Sequence, residues 1–402
     1  MTNPSGDAGL GDGDPRGGSI SRRKALFLGA GAGAGATVGG AATAIAVRRG
    51  GRTTPSEPGP SAGALGLVAV EDFRADGRDD DATLAAAVRH AAAQTHKPAV
   101  VFANRAYDLT RPVPAYSGLH LMQLGKGEEF RFGQSIRVPV GGLVAFDPAA
   151  HSITLEELSC EVRDHLLEPI PRDASRGAWR DVRVSGGGTS GGSTLLQGAF
   201  LRLDFQPAYV NDVSDSVVRI GGSDSWLFTR GPHYVSGTLP PDRPFLDLVD
   251  LGQSIVGSAY ITAQGGHGVA IGGRATGLRL TGTMVDATGR TGESATQLAG
   301  LQITGGIDTT VTDLWVFNAN ASGASPGLVT VTGGEDVLFV APRFPGFVDG
   351  QPAADVDGPC IHTTVPITVL APKAAGRAKL LSEAEPGLIT LVGAPGWEVR
   401  TT

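Results

Sequence analysis

The sequence predicts an all-β fold, a right-handed parallel β-helix closed at its start by a short helix, and three observations carry that expectation. Short runs of alternating β-branched residues and leucine recur, punctuated by Gly, Asp, Asn and Thr, which is the pattern of strands joined by tight turns. Between residues 245 and 347 three such runs open on glycine: Gly268-Val-Ala-Ile-Gly-Gly, Gly300-Leu-Gln-Ile-Thr-Gly-Gly and Gly327-Leu-Val-Thr-Val-Thr-Gly-Gly. Their starts lie 32 and 27 residues apart, and each is followed by a second run beginning at Gly277, Thr310 or Val337. A repeat of that length built of strand and turn fits stacked rungs, each burying its inward side chains on the rung below. Periodicity does not fix how strands pair, so a β-sandwich of irregular hairpins stays open as the alternative.

Composition agrees. The 402 residues include 60 glycines and 26 prolines, with 41% hydrophobic and only 6% aromatic residues, which suits many turns around a core of Val, Ile, Leu and Ala. The formal charge of −7 leaves no basic footprint for nucleic acid. It also disfavours a polyanionic ligand unless cations are concentrated locally. Two cysteines, Cys160 and Cys360, exclude a disulfide-based scaffold and leave a single bridge open. No CxxC and no pair of histidines four apart occurs, so neither a metal nor another cofactor is expected.

Residues 1–47 read as a leader. Ser21-Arg22-Arg23-Lys24 precedes an apolar Ala/Gly run to Val47, with Ala44-Ile45-Ala46 as a small-x-small cleavage site. This resembles a twin-arginine export signal and implies an extracellular or envelope location. The run is also long enough to anchor the chain, so membrane contact is expected only through an uncleaved leader. Its Gly29-Ala-Gly31-Ala-Gly33 imitates a dinucleotide loop, but no strand precedes it. Residues 48–66 form a Pro/Ser/Thr/Gly linker. One β-helix domain is expected over 67–402: a cap over 67–124, a decorated segment over 125–194, rungs over 195–347 and weaker strands over 348–402.

The cap begins with a strand at Val68, then Asp72-Phe73-Arg74-Ala75, a turn at Gly77, and Asp79-Asp80-Asp81 heading an alanine-rich helix. The aspartates suit a helix N-terminus far better than a calcium site. A strand at 98–102 and Tyr107-Asp108-Leu109 follow. This order resembles the N-terminal segment of the pectate-lyase and rhamnogalacturonase-like β-helix superfamily. Matches are Asp72-Phe73, Ala75, Gly77, Asp80-Asp81, Thr83, Phe102 and Tyr107; Arg74 departs from the family glycine, and Ala103-Asn104 from its Pro-Pro. The resemblance implies a capped solenoid and says nothing about chemistry. Within the decorated segment, Leu155, Leu158, Val162 and Leu166 stand at helical spacing and predict a short amphipathic helix, and 186–192 a flexible glycine loop.

Gly265-Gly-His267-Gly-Val-Ala-Ile-Gly-Gly273 resembles the polygalacturonase-type signature Gly-His-Gly-x-Ser-Ile-Gly-Ser, with Ala270 and Gly273 in place of its serines. Carried over by spacing, the family's paired aspartates fall on Phe245 and Leu246, its Asn-Thr-Asp on Gly222-Ser223-Asp224, and its Arg-Ile-Lys on Gln302-Ile303-Thr304. Only Asp224 and His267 match. Glycoside hydrolysis needs two carboxyl groups, and Asp247 is the nearest replacement for the missing pair. At ~4.8 Å per rung and ~3.3 Å per residue, Asp224 and Asp247 fall roughly 8 Å apart at Cα, within the spacing of inverting enzymes. With Asp247 as that replacement, Asp224 and Asp247 are the expected acid and base, with His267 orienting one of them. Trp226, Phe245 and Arg274 are the expected contacts to a sugar. Strand alternation also gives His267 the inward parity of Val269 and Ile271. The missing cations argue against polygalacturonate.

Three other signals are weaker. Asp212, Asp215 and Arg219 are the best offer for a calcium-dependent lyase. Gly323-Ala-Ser325-Pro-Gly327 has the spacing of a nucleophile elbow without the helix it needs. Phe228, Tyr234, Trp315 and Phe317 are further aromatic platforms. The expected function is an exported glycoside hydrolase acting on a polysaccharide, with two alternatives: a lyase, or a non-catalytic glycan-binding or structural solenoid.

Overall fold

A computed structural model describes residues 66–402 except 76, 125–134, 232, 241–242, 265, 287–298, 318–324, 349–350 and 353–357. The leader, its cleavage site and the linker lie outside the described residues. The chain winds as a right-handed parallel β-helix. Each full rung supplies three strands, and each strand pairs in parallel with its equivalent one rung on. In one rung these are Val218–Ser223, Trp226–Leu227 and His233–Thr238; in the next they are Pro244–Val249, Ile255–Val256 and Ala259–Gln264. The three resulting faces are called here the first, second and third sheets.

Alternation along each strand decides what is buried. In the first sheet Val218, Leu246, Val269, Leu301, Val329 and Ile361 stand in register, one per rung, and all are 0% exposed. Each such side chain contributes about 1.5–3 kcal/mol by leaving water. Glycine precedes two members of this ladder, Val269 and Leu301, where the third sheet comes close. A Cβ on Gly268 would lie 2.6 Å from Val285 Cγ1, and one on Gly300 2.4 Å from Val316 Cγ1. The valines of the third sheet thus occupy the space that the glycines of the first leave.

The helix Asp80–Ala93 covers the N-terminal end. Asp79 is its N-cap and accepts from the Ala82 amide at 2.7 Å, while Leu84, Ala87, Val88 and Ala91 are buried. The following acids are structural. Asp80 pairs with Arg105 at 2.8 Å, and Asp81 accepts from the Thr110 and Arg111 amides and the Thr110 hydroxyl, which ties the helix to the rungs.

Two local expectations are corrected. Residues 155–166 are not helical: Ile153–Glu156 and Ser159–Val162 are strands in the second and third sheets. A three-sided rung turns a corner every few residues, so inward side chains recur at three- and four-residue spacing and imitate a helix. The expected glycine loop is instead the end of the strand Trp179–Ser190, so rung pairing runs through the segment predicted as decoration. The sequence places the last strand at 388–392; the structure has Ile389–Val392 there and one further strand, Glu398–Thr401. Cys160 and Cys360 are both buried and form no disulfide.

Candidate functional site

The outer row of the first sheet carries a cluster of charge. Asp247 lies between inward-facing Leu246 and Leu248, so its side chain points outward, in register with Arg219 on one side and Ala270 on the other. An outward aspartate is ordinarily solvated, yet Asp247 is only 8% exposed. The cover is Arg172, whose Nη1 donates to Asp247 Oδ1 at 2.8 Å. Arg219 Nε lies 3.4 Å from the other oxygen. That contact is electrostatic, because the buried Nε makes no hydrogen bond. Arg219 Nη2 reaches Asp215 Oδ1 at 3.3 Å, and Arg243 Nε lies 3.9 Å from the same oxygen. Ser216 also donates its amide to Asp215 Oδ1, at 2.7 Å. Two carboxylates thus meet one guanidinium, with Arg172 and Arg243 flanking them.

His267 starts the next strand of the first sheet and is tied to this cluster through the backbone, its amide donating to the Arg243 carbonyl at 3.1 Å. The ring is 7% exposed, and Nδ1 accepts from the Ala299 amide of the following rung at 3.0 Å. That bond places the proton of the neutral ring on Nε2. Burial pushes the imidazole below its ordinary value, so the ring stays neutral near pH 7. Among the described residues His267 forms no ion pair. It joins two rungs, and among the described residues its ring contacts no carboxylate.

The remaining expected residues separate. Asp224 does not face Asp247, because the register sets Arg219 opposite Asp247 and puts Asp224 five residues further along. At ~3.3 Å per residue that is about 16 Å along the strand, in place of the expected 8 Å spacing. Asp224 occupies the corner between the first and second sheets with φ 55°; Gln253, Gly277, Asp308 and Asp336 take positive φ at the same corner in later rungs. Asp is favoured there because its short side chain tolerates the left-handed region. Phe245 is 0% exposed and packs inside, where a Cβ on Gly237 would be 3.0 Å from its Cε2. It offers no surface to a sugar. Trp226 is 42% exposed on the outer face of the second sheet, between Asp204 and Ile255 of neighbouring rungs. Arg274 stands in solvent, its amide donating to Asp250 Oδ1 at 2.7 Å.

The other signals also resolve. Of the proposed lyase group, Asp215 and Arg219 meet while Asp212 is exposed elsewhere. Ser325 is buried and its hydroxyl donates to the Gly327 carbonyl at 2.7 Å. Phe228 is a core residue, and the Trp315 ring carries the Arg343 guanidinium at 4.7 Å; the Phe317 side chain lies outside the described residues. The cations that sequence spacing did not supply arrive from elsewhere: Arg172 from a segment 75 residues before Asp247, and Arg243 from the corner before its strand. For Arg219 a signal existed, since it stands one rung from Asp247; for Arg172 there was none.

No protein-family model and no curated protein sequence matches the chain. Among solved structures, the DFA-IIIase from Arthrobacter chlorophenolicus A6 in complex with GF2 is similar, with 12% identity, 82% of this chain and 94% of that chain covered, and a TM-score of 0.54. The catalytic unit of a thermostable GH87 alpha-1,3-glucanase from Streptomyces thermodiastaticus strain HF3-3 has 14% identity, with 86% of this chain and 70% of that chain covered and a TM-score of 0.36. What the chain shares with the first of these is its fold, the right-handed parallel β-helix.

Proposed function

We propose that this protein is an exported polysaccharide hydrolase whose carboxylate pair is Asp215 and Asp247, set on either side of Arg219. The observation that carries this reading is the contact of both carboxylates with one guanidinium on the outer face of the first sheet. The two are not equivalent. Both oxygens of Asp247 are engaged by arginines, which suits a fixed negative charge facing a developing oxocarbenium ion. Asp215 takes its contacts from Arg219, Arg243 and Ser216 on Oδ1, leaving Oδ2 without a protein partner among the described residues. Asp215 is therefore assigned as the carboxylate that exchanges a proton with the substrate and its attacking water through Oδ2. Arg172 and Arg243 position the pair. The twin-arginine leader supplies the route to the cell exterior, and Arg22→Lys with Arg23→Lys should retain the protein inside the cell, as read by fractionation.

The test is release of reducing ends from a panel of neutral and acidic polysaccharides, followed together with the ultraviolet absorbance of unsaturated products. Asp215→Asn should lower kcat about 10²–10⁴-fold on whichever polymer is cut. Wild-type turnover in that variant would sink the assignment, and unsaturated products would mark a lyase. A second reading, a non-catalytic glycan-binding solenoid, is favoured by one observation: Asp247 is nearly closed off by its arginines. It predicts retention on a glycan without any product.

A further inference from the structure

The third sheet presents a different outer surface, in two neighbouring rows. One row is polar: Asp108, Arg137, Glu161, Ser190 and Asn211 stand in register on successive rungs. The other, two residues earlier on each strand, becomes aromatic: Tyr209, Tyr234 and Tyr260 follow one another in register. The rows are thus about 6.6 Å apart and advance ~4.8 Å per rung.

Both rows are built rather than incidental. The ring of Tyr209 lies over Gly188 of the preceding rung, where a Cβ would sit 1.9 Å from its Cζ. Glycine in mid-strand thus makes room for the ring against the sheet. Tyr234 is 41% exposed, and its ring centroid is 5.8 Å from that of Tyr260. The Tyr260 hydroxyl donates to Asp286 at 3.0 Å, which holds that ring in place. Alongside the polar row opens a cavity of 680 Å³ lined by Asp108, Ser135, Arg137, Glu161, Ser190 and Asp212.

We propose that this face binds a neutral polysaccharide running parallel to the solenoid axis. It rests on the reading of the protein as glycan-active, and it names a second contact surface separate from the Asp215–Asp247 pair. A rung repeat is close to the length of one pyranose in an extended chain, so successive sugars meet successive rungs. The rows share the rung of Tyr209 and Asn211, so the sugars meet polar side chains over the earlier rungs and lay their C–H faces on the tyrosine rings over the later ones. Charge selects the class of polymer. On the cavity wall Asp80, Asp108 and Glu161 are engaged by Arg105, Arg163 and Arg137, at 2.8, 3.4 and 3.2 Å, and Asp212 adds a carboxylate without an ion pair among the described residues. The wall therefore offers a uronate-rich chain no guanidinium that is not already engaged by a carboxylate.

The test is retardation of the full-length folded protein in native gels containing soluble β-glucan, galactomannan, starch or polygalacturonate. At least one neutral polymer should retard the wild type, and polygalacturonate should not. Tyr234→Ala should raise the Kd for that polymer about 3–10-fold, Tyr234→Phe should leave it unchanged, and Asn211→Ala should weaken it. Circular dichroism checks that these surface variants fold. Unchanged retardation in both Tyr234→Ala and Asn211→Ala overturns the proposal, as does retardation by polygalacturonate alone or by no polymer. The hydrolase reading is tested separately: Asp215→Asn should lose product release while keeping wild-type retardation, whereas failure of this face leaves product release by the wild type intact.

Discussion

Phe245 and Asp247 stand two residues apart on one strand and do opposite work. Phe245 breaks the alternation and fills the interior, so Phe245→Ala should cost about 3–5 kcal/mol, read from the urea midpoint. Asp247 gathers Arg172 and Arg219, with 30% and 16% side-chain exposure. Asp247→Ala leaves both guanidiniums facing each other under partial cover and should cost about 2–4 kcal/mol. Asp247→Leu should recover little of it, because the uncompensated cations remain. His267 gives a pH dependence whose sign follows from burial. Its folded-state pKa is depressed, so between that value and the unfolded value of about 6.5 the unfolded chain binds more protons. The stability this supplies is complete above about pH 7.5 and declines as pH falls through 6.5. His233 and His362 are lowered by burial as well. His267→Asn, which can still accept from the Ala299 amide, should therefore flatten the decline without removing it, as seen in denaturant midpoints measured from about pH 5 to 8.

At the scale of elements, corners and the cap decide the outcome. The corner between the first and second sheets requires a left-handed residue in rung after rung, and Asp224 is one of that series. Asp224→Gly should be tolerated, Asp224→Val should cost about 1–2 kcal/mol, and both should keep any hydrolytic rate. The cap helix was legible because its signals are local: Asp79 as N-cap, the acids in the first turn and the alanine run. Asp79→Ala should lower stability by about 1 kcal/mol. The segment 153–162 was misread for an equally local reason. Its leucines sit on consecutive sides of a three-sided rung, and spacing along the chain does not distinguish a corner from a helical turn.

In the whole molecule, stability is a sum of rung-to-rung interfaces, since each rung touches mainly its neighbours. The N-terminal end is covered by a helix, whereas the C-terminal strands Ile389–Val392 and Glu398–Thr401 have exposed side chains, with Val392 51% and Val399 37% exposed. Hydrogen exchange should show the strongest protection in the central rungs around Leu246, Val269 and Leu301, and progressive fraying toward residue 402. Uniform protection to the last strand would contradict a sum of local interfaces.

Fold was readable from the sequence because strand alternation and turn residues repeat at each rung, and repetition survives the loss of three-dimensional information. His267 and Asp247 were readable as candidates, and the inward parity predicted for His267 agrees with its burial. Register was not readable. A shift of a few residues at one corner moves Asp224 from a partner of Asp247 to a turn residue about 16 Å away along the strand. Only the tertiary structure decided that Arg172 closes over Asp247, because that contact joins residues 75 apart through a segment without periodicity. The aromatic and polar rows of the third sheet also appeared only once the rungs were stacked, since their members lie a full turn of the solenoid apart in the chain.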